Sequence, residues 1–574
     1  MASVNAKSIE TWFTEIEQGQ LVLPRFQRHP AWRDDKVSAL FENILRKPSL
    51  PIGVLLILDV GDEQPFKYRP IDGAPDASPR PRMHLLDGQQ RMTAIWKALT
   101  NGHERSRFFI DLSPQRGDEL DEDGSTPAPE TVRVKKVSVQ RKNGALTKKW
   151  VEVPSSVAER ELIPLALLRP GHAGEEEADG WVEAVAEDDP KTAMRLQKLI
   201  AKLRSAVASY SIPYLELDKG TSQDTALDVF INMNTSATPL KAYDIVVAQH
   251  EGTDASDSLH EKLEALLEDV PGLKSYDKVD DLMLSVAALV MGRAPIKKTY
   301  LSNGSASQTP FAAELEERWL DIETAFRRGV AFLEGEGVFG SQFVPNDSAL
   351  QLTLALWGEV PEGSGDKEGN AREIIRNAFW RGCLTDRYGK TSATRSFADF
   401  GPLYRAIHNG GDPREAQLFD TEEYPLPEIE DLVRAGWPKS KNRIPRSILA
   451  LSLRAGGLDF ADGSPANRAS FGSREYHHIY PVAALGEDRG SARVNRALNC
   501  AYVTWQTNRR IGAKTPADYI KGQAKAARLG EEAVRQRLTS HLIPYDELVA
   551  GDYEAFLKAR AERVRASYNI LLTL

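Results

Sequence analysis

Two adjacent histidines, His477 and His478, stand in the last fifth of a chain that contains only 10 histidines. Neighbouring side chains on a strand point to opposite faces. One imidazole can therefore bind a divalent metal while the other takes a proton from water, which are the two parts that phosphodiester hydrolysis needs. The pair indicates a metal-dependent hydrolytic site, although two adjacent histidines taken alone are more often an ordinary part of a strand.

Asparagines follow the two histidines at spacings that would complete such a site. Asn499 lies in the segment 495–504, and Asn508 lies in the segment 507–511. An asparagine can orient the base by hydrogen bonding, and a second metal ligand can come from a following helix. Segments 475–481 and 495–504 predict short strands, and segment 507–511 predicts the start of a helix. The alternative is that both asparagines are turn residues.

Charge is distributed unevenly along the 574 residues. The net charge is −9 and the sequence pI is about 5.8, which argues against a protein that coats nucleic acid non-specifically. Segment 468–537 nevertheless holds 13 Lys and Arg against 6 Asp and Glu. The segment with the histidines is therefore locally basic, and a solvated helical surface would account for that charge equally well.

A second polar cluster, Asp87–Arg91 (DGQQR), lies where a strand is expected to end and a helix to begin. The first backbone N–H groups of a helix are unpaired and attract anions. Arg91 can add a phosphate contact, Gln89 or Gln90 can orient water, and Asp87 can cap the helix or hold Mg²⁺ through water. A simple helix cap explains five polar residues as well.

The C-terminal pattern resembles the HNH, or ββα-metal, nucleases, above all those that end GmrSD-like modification-dependent restriction enzymes. The resemblance implies that His478 is the general base and that His477 and Asn508 are metal ligands. It further implies that Asn499 is the central catalytic asparagine and that Lys514 contacts a phosphate.

The sequence departs from that family pattern in two places. His477 stands where many relatives have an acidic residue, which keeps a metal ligand but changes its charge. Asn499 lies between leucine and cysteine, where relatives often have glycine and leucine.

The N-terminal half resembles the N-terminal domain of the same GmrSD-like (type IV) family, which includes BrxU and SspE. The resemblance rests on DGQQR, on segment 23–28 (LPRFQR) with Trp32, and on segment 229–234 (VFINMN). It implies a ParB/sulfiredoxin-like fold that binds and hydrolyses a nucleoside triphosphate. No P-loop motif occurs in the sequence. The nucleotide-site residues implied are Gln27, Arg28, Asp87, Gln89, Gln90 and Arg91; Asn232 and Asn234 either support the pocket or end a helix.

These observations predict an α+β multidomain protein. The expected parts are a ParB/sulfiredoxin-like domain at 1–224, an α-helical region at 225–460 and a ββα-metal (HNH) domain at 461–574 with C-terminal helices. The apolar run 52–58 predicts a buried strand, and the apolar run 282–291 predicts a core helix. The acidic segment 171–190 is expected to be a loop, and segment 460–473 has the composition of a linker.

Segment 131–154 predicts a β-hairpin of two alternating strands around Asn143–Gly144. Such a hairpin could contact a DNA backbone, but a charged, solvated hairpin is the interpretation that its composition favours. Its cationic residues are Arg133, Lys135, Lys136, Arg141, Lys142, Lys148 and Lys149.

The expected function is phage defence in the cytoplasm by a restriction endonuclease that cuts or nicks DNA, with modified phage DNA as its partner. Cutting would use Mg²⁺ or Mn²⁺ and would be regulated by GTP, ATP or CTP. No membrane partner is expected, and the sequence leaves open whether the chain forms a homo-oligomer. The alternatives are an NTP-gated DNA-binding sensor with little nuclease activity, or an indiscriminate toxin nuclease that acts in abortive infection.

Overall fold

The computed structural model divides the chain into two compact units, Met1–Ser258 and Leu259–Leu574. It describes residues 3–573 except 28–31, 33, 62–63, 114–131, 140, 143–144, 188, 223–224, 228, 231–240, 251–256, 302–308, 362, 364 and 529. The unit boundary lies after residue 258 rather than after 224. Most of the expected helical region therefore belongs to the same compact unit as the C-terminal module, and the three-part division stays a prediction.

The first unit is built on strands that run through most of its length. Their bounds are β1 (Ser3–Ser8), β2 (Leu21–Pro24), β3 (Leu55–Asp59), β4 (Tyr68–Arg69), β5 (Met83–Asp87), β6 (Ser106–Asp111), β7 (Arg133–Ser138), β8 (Arg141–Lys142), β9 (Ala145–Leu146), β10 (Leu162–Pro164) and β11 (Ser211–Leu217).

A mixed sheet in the order β1-β11-β3-β5-β2-β4 forms the centre of this unit. β11 with β3 and β2 with β5 are parallel pairs, whereas the other neighbours are antiparallel. A separate antiparallel sheet has the order β10-β6-β7. β3 confirms the strand expected from the apolar run 52–58, because Leu55, Leu56, Ile57 and Leu58 are all buried.

Helices surround these sheets, and one of them begins directly after β5. Its buried residues include Met92, Ile95, Trp96 and Leu99, which lie at the spacing of one helical face. The helices whose bounds the structure describes in this unit include Ile9–Glu17, Asp34–Leu45, Gln89–Leu99, Pro154–Ala158, His172–Ala186, Pro190–Ser209 and Ala242–His250.

One expectation for the first unit was wrong, and a second was confirmed only in part. The acidic segment 171–190 is mostly the helix His172–Ala186, whose buried side packs Ala178, Trp181 and Val182 inward while its glutamates face solvent. The hairpin is also much shorter than expected. β7 pairs along its whole length with β6, which leaves only the two-residue strands β8 and β9 to pair with each other. The turn at 143–144 lies outside the described residues.

The second unit is mainly helical. Between Val279 and Val290 every residue from Leu282 onward is buried, which confirms the core helix expected there. The helices of this unit are Leu259–Asp269, Val279–Val290, Lys297–Tyr300, Phe311–Glu317, Trp319–Gly335, Asp347–Gly358, Asp366–Leu384, Ser392–Asn409, Ile429–Arg434, Arg443–Arg454, Val482–Leu485, Trp505–Ile511, Pro516–Ala526, Gly530–Thr539, Tyr545–Ala550 and Tyr553–Leu571.

A small two-stranded sheet lies within this helical unit. β12 (Arg474–His478) pairs antiparallel with β13 (Cys500–Thr504), and the helix Trp505–Ile511 follows at once. This strand, strand, helix order is the one that the sequence predicted. Nowhere in the described parts of the chain is a helix long and apolar enough to cross a membrane.

Buried arginines attach this sheet to the helices around it. Arg560, on the last helix, donates to the carbonyls of Leu498 (2.6 Å) and Cys500 (2.9 Å). Arg474 donates to the carbonyls of Gly457 (3.0 Å) and Tyr502 (3.1 Å). The linker expected at 460–473 therefore begins inside the folded structure, where Phe460 is buried.

Candidate functional sites

His477 points from β12 into the interior, where its imidazole is only 2% exposed. Its Nδ1 lies 2.7 Å from Oδ1 of Asn508, and its Nε2 is buried without a hydrogen-bond partner among the described residues. Burial lowers the pKa of His477 to about 4, although the bond with Asn508 acts in the opposite direction. The structure thus brings together the two side chains that the sequence proposed as metal ligands.

Asn508 is held in place by a residue that the sequence interpretation did not single out. Asp459 is fully buried and accepts hydrogen bonds from the N–H of Thr504 (2.7 Å) and the hydroxyl of Thr507 (2.5 Å). Burial raises the pKa of Asp459, but these hydrogen bonds outweigh it and leave the pKa below its usual value. Asp459 therefore fixes the start of the helix Trp505–Ile511, which carries Asn508.

Oδ1 of Asn508 only accepts, so Nδ1 of His477 carries the proton of this bond, and a divalent cation bound by both atoms would have to displace that proton. Mg²⁺ is commonly held by few protein groups, with water and phosphate oxygens at its other positions. Among the described residues no cluster of three or more His, Cys, Asp or Glu side chains could hold a metal. A cation held by His477 and Asn508 would therefore need its other ligands from substrate and water.

His478 points to the other side of β12 and is half-buried. Its ring stacks on Trp437, with the ring centroids 4.1 Å apart and the planes inclined by 23°. Its Nε2 lies 3.1 Å from Oδ1 of Asn495. Burial lowers the pKa of His478, opposed by the bond with Asn495. One face and one edge of the imidazole are thus fixed by the protein.

The bonds of Asn495 determine which nitrogen of His478 carries the proton. Nδ2 of Asn495 donates to the carbonyls of Arg489 (2.7 Å) and Ser491 (3.1 Å), so Oδ1 must be the amide atom that faces the imidazole. An amide oxygen only accepts, and Nε2 of His478 must therefore be its donor. The neutral ring then keeps a lone pair on Nδ1, which has no hydrogen-bond partner among the described residues.

The side chain of Asn499 forms no hydrogen bond with His478 among the described residues, which corrects the expectation that it orients the base directly. Its fully buried amide accepts from the N–H of Tyr480 (2.8 Å) and donates to the carbonyls of Tyr480 (3.1 Å) and Val494 (3.0 Å). These bonds close the loop 479–499, on which Asn495 lies. Asn499 consequently acts on the base only through that loop.

Lys514 lies apart from these contacts. Its side chain is exposed, and Nζ donates to the carbonyl of Arg510 at 3.1 Å. It thereby caps the end of the helix Trp505–Ile511. The structure leaves its ammonium accessible to a phosphate without bringing it into the histidine cluster.

The DGQQR segment begins at the end of β5 and turns sharply into the helix Gln89–Leu99. The turn is made by Gly88, whose φ of +99° favours glycine and whose added Cβ would lie 2.3 Å from Cδ2 of Leu55. Arg91 reaches back across this turn and lies 3.5 Å from Oδ2 of Asp87. Burial lowers the pKa of Arg91, and Asp87 opposes that shift.

Gln27 and Gln90 join Arg91 at this junction. Gln27 is 7% exposed and donates from Nε2 to the carbonyls of Leu85 (2.7 Å) and Leu86 (2.8 Å), while its Oε1 is buried without a partner among the described residues. Gln90 accepts from the N–H of Trp32 at 3.1 Å. Gln89, 8% exposed, is the fifth described member of the predicted set.

Gly53 is the residue of this junction that sequence reasoning missed. Arg91 Nη1 donates to the carbonyl of Ile52 at 3.2 Å, and a Cβ on Gly53 would lie 2.2 Å from that same nitrogen. Gly53 also has a φ of +101°. The glycine directly before a buried strand was the available signal, because such a position often marks a close approach of backbone and side chain.

Three predicted residues of the first unit, Arg28, Asn232 and Asn234, lie outside the described residues. The five remaining members, Gln27, Asp87, Gln89, Gln90 and Arg91, gather around the turn at Gly88. They surround the start of a helix of 11 residues, where backbone N–H groups favour an anion.

Comparison with known proteins finds a similarity in the N-terminal part of the chain. Residues 9–251 match the family described as "GmrSD restriction endonuclease, N-terminal domain". That match covers nearly the whole first unit and includes every predicted nucleotide-site residue.

The chain is also similar to an uncharacterized protein, MJ0686, from Methanocaldococcus jannaschii. The two are 22% identical over 553 residues, which cover 90% of this chain and 87% of that protein. The similarity therefore extends through both units.

Proposed function

We propose that this protein is a type IV restriction endonuclease of phage defence that cuts or nicks modified DNA at the site around His477 and His478. The observation that carries the proposal is the pairing of His477 with Asn508 on a strand–strand–helix element, beside a base, His478, held by Asn495. The GmrSD-type N-terminal domain in the same chain supports DNA as the substrate.

In this proposal His478 is the general base. The protein holds the ring by Trp437 on one face and by Asn495 on Nε2, so that the lone pair of Nδ1 is available to a water molecule. His478 would remove a proton from that water as it attacks a phosphodiester phosphorus. Lys514 would contact a phosphate of the bound strand.

His477 and Asn508 would hold a divalent cation, Mg²⁺ or Mn²⁺. When bound, the cation supplies positive charge that stabilises the phosphate oxygens as negative charge develops on them. Asp459 supports this pair, because it fixes the helix that presents Asn508.

At the other end of the chain, the junction of β5 and the helix Gln89–Leu99 would bind and hydrolyse a nucleoside triphosphate. Arg91 would contact phosphate, the helix start would receive a second phosphate, and Gln89 or Gln90 would orient water. Gln27 and Arg28 would complete the pocket. Nucleotide turnover would regulate cutting.

The decisive experiment measures cutting by purified protein of supercoiled plasmid and of phage DNAs with different modifications. Each reaction contains Mg²⁺ or Mn²⁺, with and without GTP, ATP or CTP. We expect His478→Ala to lower the cutting rate by roughly 10²–10⁴-fold, because a general base is lost. Folding and nucleotide turnover should be unchanged.

His408→Ala is the matched control for that substitution. His408 lies in the same unit and packs against an aromatic ring, Tyr404, with centroids 4.4 Å apart and planes inclined by 35°, but it is remote in sequence from the proposed site. It should cut like the wild type. If His478→Ala cuts like the wild type, His478 is not the base.

Two other functions remain as outcomes of the same assay. Metal-dependent degradation of total RNA as fast as DNA would favour an indiscriminate toxin nuclease. Nucleotide-dependent DNA binding without any cutting, on any substrate, would favour a sensor and would contradict the nuclease proposal.

A further inference from the structure

A basic groove lies on the first unit and is used by neither proposed site. It has a volume of about 590 Å³ and is lined partly by Lys135 and Lys136 of β7, Lys148, Trp150 and Arg160. No aspartate or glutamate is among its described lining residues. In a chain of net charge −9, such a surface is not a by-product of a basic composition.

Arg160 is held in a fixed position at this groove. Its guanidinium carbon lies 4.6 Å from the ring centroid of Trp150, and its Nη1 donates to the carbonyl of Ser156 at 2.5 Å. Trp150 in turn stacks on the buried ring of Phe109, with centroids 5.9 Å apart. A guanidinium held this way gives up little conformational freedom when it binds an anion.

Lys135 and Lys148 are exposed, and neither forms an ion pair within the described part of the chain. Lys136 differs, because its Nζ lies 2.6 Å from Oδ2 of Asp34. Asp34 and Glu42 line the neighbouring groove, which is acidic. The surface therefore changes sign across Lys136, and a polyanion would be attracted on one side and repelled on the other.

We propose that this groove binds the sugar–phosphate backbone of duplex DNA, with Lys135, Lys148 and Arg160 contacting phosphates. The inference rests on the proposed function only in taking DNA as the substrate. Lys135, Lys148 and Arg160 are all exposed, so the groove lies open at the surface, which suits a polymer running across it. Contacts to phosphates contribute affinity and orientation but carry no sequence information.

The test compares two variants of the full chain that change charge equally. The groove variant is Lys135→Glu/Lys148→Glu/Arg160→Glu. The control is Lys191→Glu/Arg195→Glu/Lys198→Glu, three exposed cations on the helix Pro190–Ser209 of the same unit. Thermal unfolding establishes that both variants fold. Binding of a labelled DNA duplex is then measured by fluorescence anisotropy in EDTA, which prevents cutting.

We expect the groove variant to bind the duplex roughly tenfold or more weakly at moderate salt, and the control to bind like the wild type. The slope of log affinity against log salt should fall by about 2 to 3 in the groove variant, because each phosphate contact contributes about 0.9. Free tripolyphosphate, at the same phosphate concentration as an unlabelled duplex, should compete far less well than the duplex.

Equal losses in the two variants would overturn the inference, as would a wild type that binds no duplex. Effective competition by tripolyphosphate would show a small-anion site instead. A wild type that cuts DNA while both variants bind alike would leave the proposed function standing without this inference. Groove-dependent DNA binding by a wild type that never cuts DNA would support this inference and contradict the proposed function.

Discussion

The two candidate sites are held together in different ways. In the second unit, the two histidines of the site bond to side chains: His477 to Asn508, and His478 to Asn495. In the first unit, Gln27 and Arg91 bond chiefly to backbone carbonyls, those of Leu85, Leu86 and Ile52.

Because of this difference, we expect the two sites to respond differently when one of their residues is substituted. A site made of side-chain pairs can lose one member while the fold around it persists, so substitution there should affect activity more than stability. A site whose polar groups satisfy buried backbone carbonyls is part of the fold itself. Substitution there should lower stability and activity together.

The largest effect beyond that of His478 is expected at Asn495. Asn495→Ala removes the acceptor that fixes His478, and the turnover number for cutting should fall by roughly 10²-fold because the base is misplaced. The Michaelis constant should be little changed, since Asn495 holds the base and not the substrate. Steady-state cleavage of a DNA duplex measures both constants.

Asn467→Ala, in an exposed turn of the same unit, is the control and should leave cutting unchanged. Asn495→Asp keeps an acceptor for Nε2 and should retain more activity than Asn495→Ala. Equal turnover numbers for Asn495→Ala and the wild type would show that Asn495 does not position His478.

In the first unit, Gly53→Ala should reduce nucleotide turnover by roughly tenfold, because the new Cβ displaces Arg91, whose phosphate contact is charge-assisted. Gly73→Ala is a matched control. Gly73 also has positive φ, +82°, but its Cβ would come no closer than 3.5 Å to Lys97. Both variants carry backbone strain, and only Gly53→Ala should impair hydrolysis in an NTPase assay. An equal loss of hydrolysis in Gly53→Ala and Gly73→Ala would show that backbone strain, and not displacement of Arg91, causes the loss.

Gln27→Met should lower the free energy of unfolding of the first unit by about 1–3 kcal/mol, because two buried carbonyls lose their donor. Urea unfolding followed by the unit's tryptophan fluorescence measures the loss. Methionine keeps most of the volume, so packing changes little. If Gln27→Met is fully stable but no longer binds nucleotide, Gln27 contacts the ligand and does not mainly stabilise the fold. That result would weaken the contrast between the side-chain pairs of the second unit and the backbone-bonded residues of the first.

The smallest expected effect is on the pH dependence of the free energy of unfolding in mildly acidic solution. Burial lowers the pKa of His541 to about 3 in the folded protein, whereas an unfolded histidine titrates near 6.5. The unfolded chain therefore binds the extra proton as the pH falls below about 6.5. Above that pH the buried, neutral His541 makes its full contribution to the free energy of unfolding. Below that pH this contribution falls by up to about 1.4 kcal/mol per pH unit.

His541→Gln tests this acid dependence. Glutamine can keep the donor to the carbonyl of Leu458, which His541 contacts at 2.8 Å, but it does not titrate. Urea unfolding of the variant should depend less on pH between 7 and 5 than that of the wild type. An unchanged dependence would mean that other groups dominate the acid response of this unit.

Local sequence patterns predicted the elements that carry both sites. The apolar run 52–58 predicted β3, and DGQQR marked the end of β5 and the start of the helix Gln89–Leu99 on either side of Gly88. Segments 475–481 and 495–504 gave the two strands of the small sheet. These features are local, because periodicity and turn residues act over a few positions.

What the sequence did not predict depends on tertiary contacts. Asn495 was passed over in favour of Asn499, since nothing local shows that one amide closes a loop and the other reaches an imidazole. The helix His172–Ala186 was taken for a loop, because its many acidic residues concealed apolar positions spaced for one buried face. Asp459 was missed because it directly precedes segment 460–473, whose composition predicted a linker.

Trp437 and Asp459 both precede residue 461, where the C-terminal module was expected to begin. A gene fusion that joined only residues 461–574 to another protein would carry both histidines and both asparagines of the proposed site. It would lack the ring that covers His478 and the carboxylate that sets the helix of Asn508. The catalytic machinery proposed here would therefore have to be inherited together with the helices before it, and its evolutionary unit is larger than its motif.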